Sequence, residues 1–84
     1  MRVGVQFTGT VAANAVGRWF THSWPHDWNV VWTVVPTTPA AGGPQIEWNV
    51  EVQRASATAL TYWIDVKNLT AAPVSVEGRF VVVP

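Results

Sequence analysis

The chain has 84 residues, of which 49% are apolar and 12% charged, and its five basic and five acidic residues leave no net charge. It contains no cysteine, which excludes disulfides and thiolate zinc sites. With few, scattered basic residues and no apolar run near the ~20 residues of a membrane helix, it is expected to bind neither nucleic acid nor a membrane.

Short runs in which apolar and polar residues alternate, separated by Gly, Pro and Asn, predict an all-β protein of about six strands. Residues 36–44 hold no side chain larger than Thr or Pro and are expected to form the long connection between two sheets. The predicted fold is a small two-layer antiparallel β-sandwich or barrel. The predicted strands cover residues 2–8, 16–23, 28–35, 45–54, 59–68 and 74–83.

The first two predicted strands differ in how regularly they alternate. The first is expected to place Val3, Val5 and Phe7 on one face. In the second, the adjacent Trp19 and Phe20 must face opposite ways. Either both faces of this strand are covered or it contains a bulge.

The last three predicted strands share one parity, with even-numbered residues facing inward. Short turns join them, and antiparallel pairing can preserve this parity. We therefore expect residues 45–83 to form a three-strand meander, with the first three strands as the opposing layer. Gly78 lies on the inner face, where it is expected to make room for a tryptophan.

The run LTYWIDVKNLTAAPVSVEGRF, residues 60–80, resembles the later strands of bacterial immunoglobulin-like or jelly-roll modules. The resemblance is one of architecture and implies an immunoglobulin-like or jelly-roll-like sandwich. It carries no diagnostic motif, so it implies no functional residue.

The six tryptophans divide into core candidates and surface candidates. Parity predicts that Trp28, Trp32 and Trp48 point into the core. Trp63 is the exception, because it lies on the polar face of its strand. A large aromatic among charged groups is a common arrangement for stacking on a sugar, a peptide or another subunit, unless a neighbouring side chain covers it.

A lectin-like carbohydrate-binding module is therefore one alternative function, with a carbohydrate as its ligand. Parity leaves the facing of two of its candidate tryptophans, at positions 19 and 24, undecided. The candidate ligand-binding residues are Trp63, Trp24, Trp19, Arg79 and Asp65.

His22, His26 and Asp27 form the only grouping with metal-ligand chemistry. Pro25 excludes a regular helix that would place both histidines on one face. A small metal-dependent enzyme at these residues is therefore the less favoured alternative. We expect no metal, no cofactor and no catalysis.

Four valines, Val31, Val35, Val81 and Val83, are predicted to face away from the core. A chain of this length has too little material for a third layer, and leaving four valines in water forgoes several kcal/mol. The leading expectation is therefore a non-catalytic β-sandwich module that forms a homo-oligomer through these valines.

The length fits one sandwich domain over residues 1–84. The first residues lack the apolar stretch of a signal peptide. We expect a cytoplasmic protein or a domain excised from a larger one.

Overall fold

The computed structural model describes all of residues 1–84 and contains six β-strands and no helix, which confirms the all-β prediction. No helix of the length and hydropathy needed to cross a bilayer is therefore present. The strands are β1 (Arg2–Val11), β2 (Val16–Pro25), β3 (Asn29–Pro36), β4 (Ile46–Arg54), β5 (Ala59–Asn68) and β6 (Val74–Val83).

The strands form two three-stranded antiparallel sheets that pack as a two-layer sandwich. Sheet I has the order β1–β6–β3 and sheet II the order β2–β5–β4. Every connection except the β4–β5 hairpin crosses from one sheet to the other, including the long β3–β4 connection predicted to do so. Early strands pair with late ones, β1 with β6 and β2 with β5, which is jelly-roll-like connectivity.

The predicted meander over residues 45–83 is wrong beyond its first hairpin. β4 and β5 pair in sheet II, but β6 lies in sheet I between β1 and β3. The first three strands likewise divide between the sheets. The parity itself is correct, since Ile64 and Val76 are 0% and 1% exposed. Parity cannot separate the two topologies, because the inner faces of opposing sheets meet in the same core.

Asn68 stabilises the connection that crosses from β5 in sheet II to β6 in sheet I. Its side chain is buried, and its Nδ2 donates to the carbonyl oxygens of Val11, Ala12 and Ala72 at 2.8–3.2 Å. Its Oδ1 accepts hydrogen bonds from the backbone N–H and the hydroxyl of Thr70. One side chain therefore ties the β5–β6 turn to the end of β1, and it satisfies carbonyls that burial would otherwise penalise.

β1 contains a bulge, with the register to β6 shifting between Val5 and Phe7. Before the shift Val3 lies opposite Val81 on the outer face, and after it Phe7 lies opposite Gly78 on the inner face. The expectation that Val3, Val5 and Phe7 share one face is therefore wrong. Gly78 does make room for an aromatic ring, but the ring is Phe7 and not a tryptophan.

β2 contains a bulge, which is one of the two explanations offered for its uneven alternation. Its register to β5 shifts between Thr21 and Trp24. Ser23 adopts a φ of 66° inside the bulge, in the left-handed region that non-glycine residues rarely occupy. The extra residue moves Trp24 to the inner face, where Trp19 also lies, while Phe20 faces outward.

The core is built around Trp24. Four aromatic rings from both sheets or their connections surround its indole at centroid distances of 5.2–6.4 Å: Trp28, Trp32, Tyr62 and Phe80. The Trp24 Nε1 donates to the Thr21 hydroxyl at 3.0 Å. The buried core side chains are Val11, Trp24, Trp32, Val34, Tyr62, Ile64, Val66, Val74 and Val76.

Trp48 is not in the core, contrary to the sequence prediction. It faces inward as predicted, since it lies opposite the buried Val66, yet it is 41% exposed. Along the same face of β4, Val50 and Val52 are 37% and 62% exposed. The edge strand β4 therefore extends beyond the cover of sheet I. Alternation predicts the face of a strand, but burial depends on what lies across from it.

Comparing Trp24→Ala with Trp48→Ala should show that the central indole contributes more to the free energy of unfolding than the indole on the edge strand. Removing Trp24 empties the middle of the core and should lower the free energy of unfolding by about 3–5 kcal/mol. Removing the partly exposed Trp48 should cost the isolated chain about 1–2 kcal/mol. Urea unfolding of both variants at low protein concentration measures the difference, and equal losses would contradict this arrangement.

Gly78→Ala should test the contact with Phe7. A Cβ at position 78 would overlap the Phe7 ring, and relieving such overpacking typically costs 1–3 kcal/mol of stability. In a Phe7→Leu background the same substitution should cost much less, because the ring edge is gone. A double-mutant cycle by thermal unfolding measures this coupling. Additive effects would show that Gly78 is not needed for the Phe7 ring.

Candidate functional site

The outer face of sheet II carries an aromatic patch, formed by Phe20, His22 and Trp63. Phe20 lies opposite Trp63 in the β2–β5 pairing, and their ring centroids are 5.2 Å apart. The His22 ring lies 6.1 Å from that of Phe20. Phe20 is 61% exposed, so its ring is open to a ligand.

Arg18 connects the aromatic patch to neighbouring carboxylates. Its guanidinium lies 5.0 Å from the centroid of the Trp63 ring, which is a cation–π contact. Its Nη1 bonds both carboxylate oxygens of Asp65 at 3.0 Å and lies 3.3 Å from Glu51. Arg18 and Phe20 therefore pack against Trp63, a role that the sequence had not indicated for either residue.

The five predicted ligand-binding residues do not come together. Trp63 and Asp65 share the outer face of sheet II through Arg18. Trp24 is buried in the core, and Trp19 stacks on Phe7 inside the sandwich at 4.9 Å. Arg79 lies on the outer face of the other sheet, where it pairs with Glu77. Phe20 is the exposed aromatic that the prediction missed. The one sequence signal for it is that Trp19 and Phe20 are adjacent in a strand, so that one of the two rings must face outward.

His22, His26 and Asp27 do not form a metal-binding group. No set of three or more His, Asp or Glu side chains lies close enough to hold an ion. The Nδ1 of His22 shares a hydrogen bond of 2.9 Å with the Ser23 hydroxyl, inside the β2 bulge. His26 lies in the following turn, where its backbone N–H donates to the carbonyl of Thr58.

Two surface depressions are present. One, of about 370 Å³, lies beside Asp65, the carboxylate that Arg18 connects to the aromatic patch. It is lined by Val16, Glu47, Trp48, Asn49, Asp65 and Lys67. The other, of about 320 Å³, lies at an end of the sandwich and is lined by both chain termini together with Asp27, Trp28, Asn29, Val82 and Val83. The first has polar groups suited to hydrogen-bonding a hydroxylated ligand.

Tyr62 is the one residue whose pKa departs clearly from its ordinary value. Burial raises the pKa of its phenol above the ordinary value, because the charged form would lose its hydration. The folded state therefore favours the neutral phenol, and stability falls as the pH rises past the ordinary pKa of tyrosine. At neutral pH the group is protonated, which suits a core residue and not a general base.

The outer face of sheet I carries a valine patch, defined by Val3, Val5, Val31 and Val81. Val81 on the central strand lies opposite Val3 on one side and Val31 on the other, which makes a continuous apolar row across the sheet. Val3, Val5 and Val31 are 69%, 52% and 51% exposed.

Sequence reasoning found two members of the valine patch, Val31 and Val81, and missed the other two. Val3 and Val5 are predicted from the sequence only to share a face with Phe7, because the bulge that separates them in β1 has no clear sequence signal. Val35 and Val83, the remaining predicted contacts, lie on the same outer face but are half-buried, opposite Glu77 and Asn29.

Comparisons with protein-family models, with curated proteins and with solved structures found no match.

Proposed function

We propose that this protein is a non-catalytic β-sandwich module that assembles with copies of itself through the valine patch. The observation that carries the proposal is the bulge in β1, which turns Val3 and Val5 outward beside Val81 and Val31. Four valines on the outer face of a two-layer protein have no layer of their own chain to cover them.

Hydrophobic burial favours the assembly. Three of the four valines expose half or more of their surface. At about 25 cal/mol per Å², covering each exposed portion contributes on the order of 1 kcal/mol. This is a substantial gain for a small domain with a stability of about 5 kcal/mol.

Electrostatics does not oppose the assembly. The charged side chains on this face are Glu77 and Arg79, and they form an ion pair with Nε and Oε2 2.7 Å apart. The chain as a whole carries no net charge. Two copies can therefore approach face to face without long-range repulsion. A two-fold symmetric contact, in which each copy uses the same surface, is the default for such a face.

Val3→Lys with Val31→Glu should weaken this contact. The two substitutions leave the net charge unchanged and place charges at exposed positions on either side of Val81, so the core should be unaffected. Light scattering at micromolar concentration should show a wild-type mass that is a multiple of 9.2 kDa and a smaller mass for the variant.

Thr8→Lys with Thr10→Glu is the matched control, because it adds the same charges to β1 on the polar half of the same face. Its mass should equal that of the wild type. A wild-type mass of 9.2 kDa, or equal masses for the wild type and the Val3/Val31 variant, would contradict the proposal.

Carbohydrate binding at the aromatic patch is the second candidate function. The specific observation is the exposed Phe20 ring beside Trp63, with the Arg18 and Asp65 groups within the same surface. An exposed aromatic surface offers the apolar face of a sugar ring a stacking partner, and flanking charged groups can hydrogen-bond its hydroxyls.

Indole fluorescence tests this candidate, because Trp63 contacts Phe20 directly. Titration with neutral oligosaccharides should give a saturable change that disappears in Phe20→Ala and in Trp63→Ala. Leu69→Ala is the control, since Leu69 is an apolar residue, 39% exposed, in the β5–β6 turn and lines neither surface depression. A titration with no saturable change in the wild type would reject carbohydrate binding here.

A further inference from the structure

The two sides of the sandwich differ in how their edge strands are protected. On one side, β1 and β2 each contain a bulge, which interrupts the row of free backbone groups. On the other side, β3 and β4 pair with their neighbours without irregularity. Regular edges of this kind can accept another strand, whereas bulges, prolines and charged side chains, lysine above all, hinder it. β4, Ile46–Arg54, contains no proline, glycine or lysine, and each of its two glutamates is paired with a cation of its own chain.

β4 also exposes an apolar strip on its inner face, formed by Trp48, Val50 and Val52. Their partners on β5 are buried, so the strip continues the core surface beyond the cover of sheet I. A free backbone edge and an uncovered apolar strip therefore occur on the same strand. Antiparallel pairing with a suitable strand would use both.

We propose that β4 pairs antiparallel with β4 of a second copy, about a two-fold axis at Val50. The register that overlaps all nine residues of the strand places Val50 opposite Val50 of the second copy. It places Trp48 opposite Val52, an aromatic–β-branched pair of the kind that stabilises antiparallel sheets. Even-numbered residues oppose even-numbered ones, so the two apolar strips lie on one face and join.

Complementary polar pairs identify a second copy as the occupant, because each Glu of the strand faces a carboxamide that can donate a hydrogen bond to it. In this register Asn49 lies opposite Glu51 and Glu47 opposite Gln53, so no like charges face each other directly. Each carboxylate also has a cation on its own chain. Arg18 lies 3.3 Å from Glu51, and Lys67 lies 4.0 Å from Glu47. The strand is therefore complementary to itself in its apolar pairs and in its carboxylate–carboxamide pairs.

This contact goes beyond the proposed function, because it uses an edge of sheet II and not the outer face of sheet I. The two surfaces share no residue. If both contacts form, each with its own two-fold axis, the assembly is larger than a dimer. The β4 contact alone joins two copies of sheet II into one six-stranded sheet.

Cysteine crosslinking tests the register, since the chain has no cysteine of its own. Val50→Cys places two thiols opposite each other across the axis, within the Cα separation of about 4.4–6.8 Å that a disulfide accepts. Val52→Cys is the matched control on the same face, because the two Cα atoms at that position would lie more than about 13 Å apart. Both proteins are incubated in a glutathione redox buffer and compared on non-reducing gels.

Val50→Cys should form crosslinked dimers, whereas Val52→Cys should remain uncrosslinked. A mixture of Trp48→Cys and Val52→Cys proteins should crosslink to each other. Equal crosslinking of Val50→Cys and Val52→Cys would show random collision and overturn the register. Absence of crosslinking in Val50→Cys would overturn the pairing and leave the edge to a partner other than this chain.

The Val3→Lys/Val31→Glu background separates this contact from the valine patch. The Val50→Cys crosslink should persist in that background. Persistence together with an unchanged mass in the Val3/Val31 variant would reject the valine patch and retain the β4 pairing. Loss of the crosslink in that background would show that the two copies meet through the valine patch alone, which overturns the β4 proposal.

Discussion

The hydroxyl of Thr21 connects the features on which the rest of the structure depends. It accepts hydrogen bonds from Gln6 Nε2 and from Trp24 Nε1, each at 3.0 Å. Gln6 lies at the bulge of β1, and Trp24 follows the bulge of β2. One buried acceptor thereby links the two irregular edge strands on the same side of the sandwich. Because hydrogen bonds inside a protein are costly to leave unmade, this arrangement favours both bulges over regular pairing.

The two bulges decide both the core and the surface. In β2 the extra residue directs Trp24 inward, where its indole packs among rings from both sheets. In β1 it directs Phe7 inward and leaves Val3 and Val5 outside. The same kind of irregularity therefore creates a dense aromatic core and an uncovered valine patch. A small chain without disulfides depends on such a core, because its buried fraction is limited.

The uncovered apolar surfaces have different origins. The valine patch arises because the bulge in β1 places Val3 and Val5 beside Val81 and Val31 on the outer face of sheet I. The strip on β4 arises because sheet I does not reach across the edge of sheet II. The aromatic patch differs from both, since Arg18 and its carboxylates give it hydrogen-bonding groups. Apolar faces without polar groups favour a protein partner, whereas aromatic rings beside charges favour a hydroxylated ligand. This contrast is the physical basis for proposing assembly on one face and carbohydrate binding on the opposite one.

The sequence by itself determined the strand content, the inward parity of β4 to β6, and the outward position of Trp63, because alternation follows directly from strand geometry. It also indicated a bulge in β2, since Trp19 and Phe20 cannot both face the core. Only the tertiary structure decided that β6 crosses to the opposite sheet, that Val3 and Val5 face outward, and that Trp48 stays exposed. Each of these depends on a contact between distant residues: the Asn68 bonds to the end of β1, the bond from Gln6 to Thr21, and the reach of sheet I over β4. Local pattern fixes which way a side chain points along a regular strand, but register shifts and the extent of the opposing layer are settled only when the strands pair.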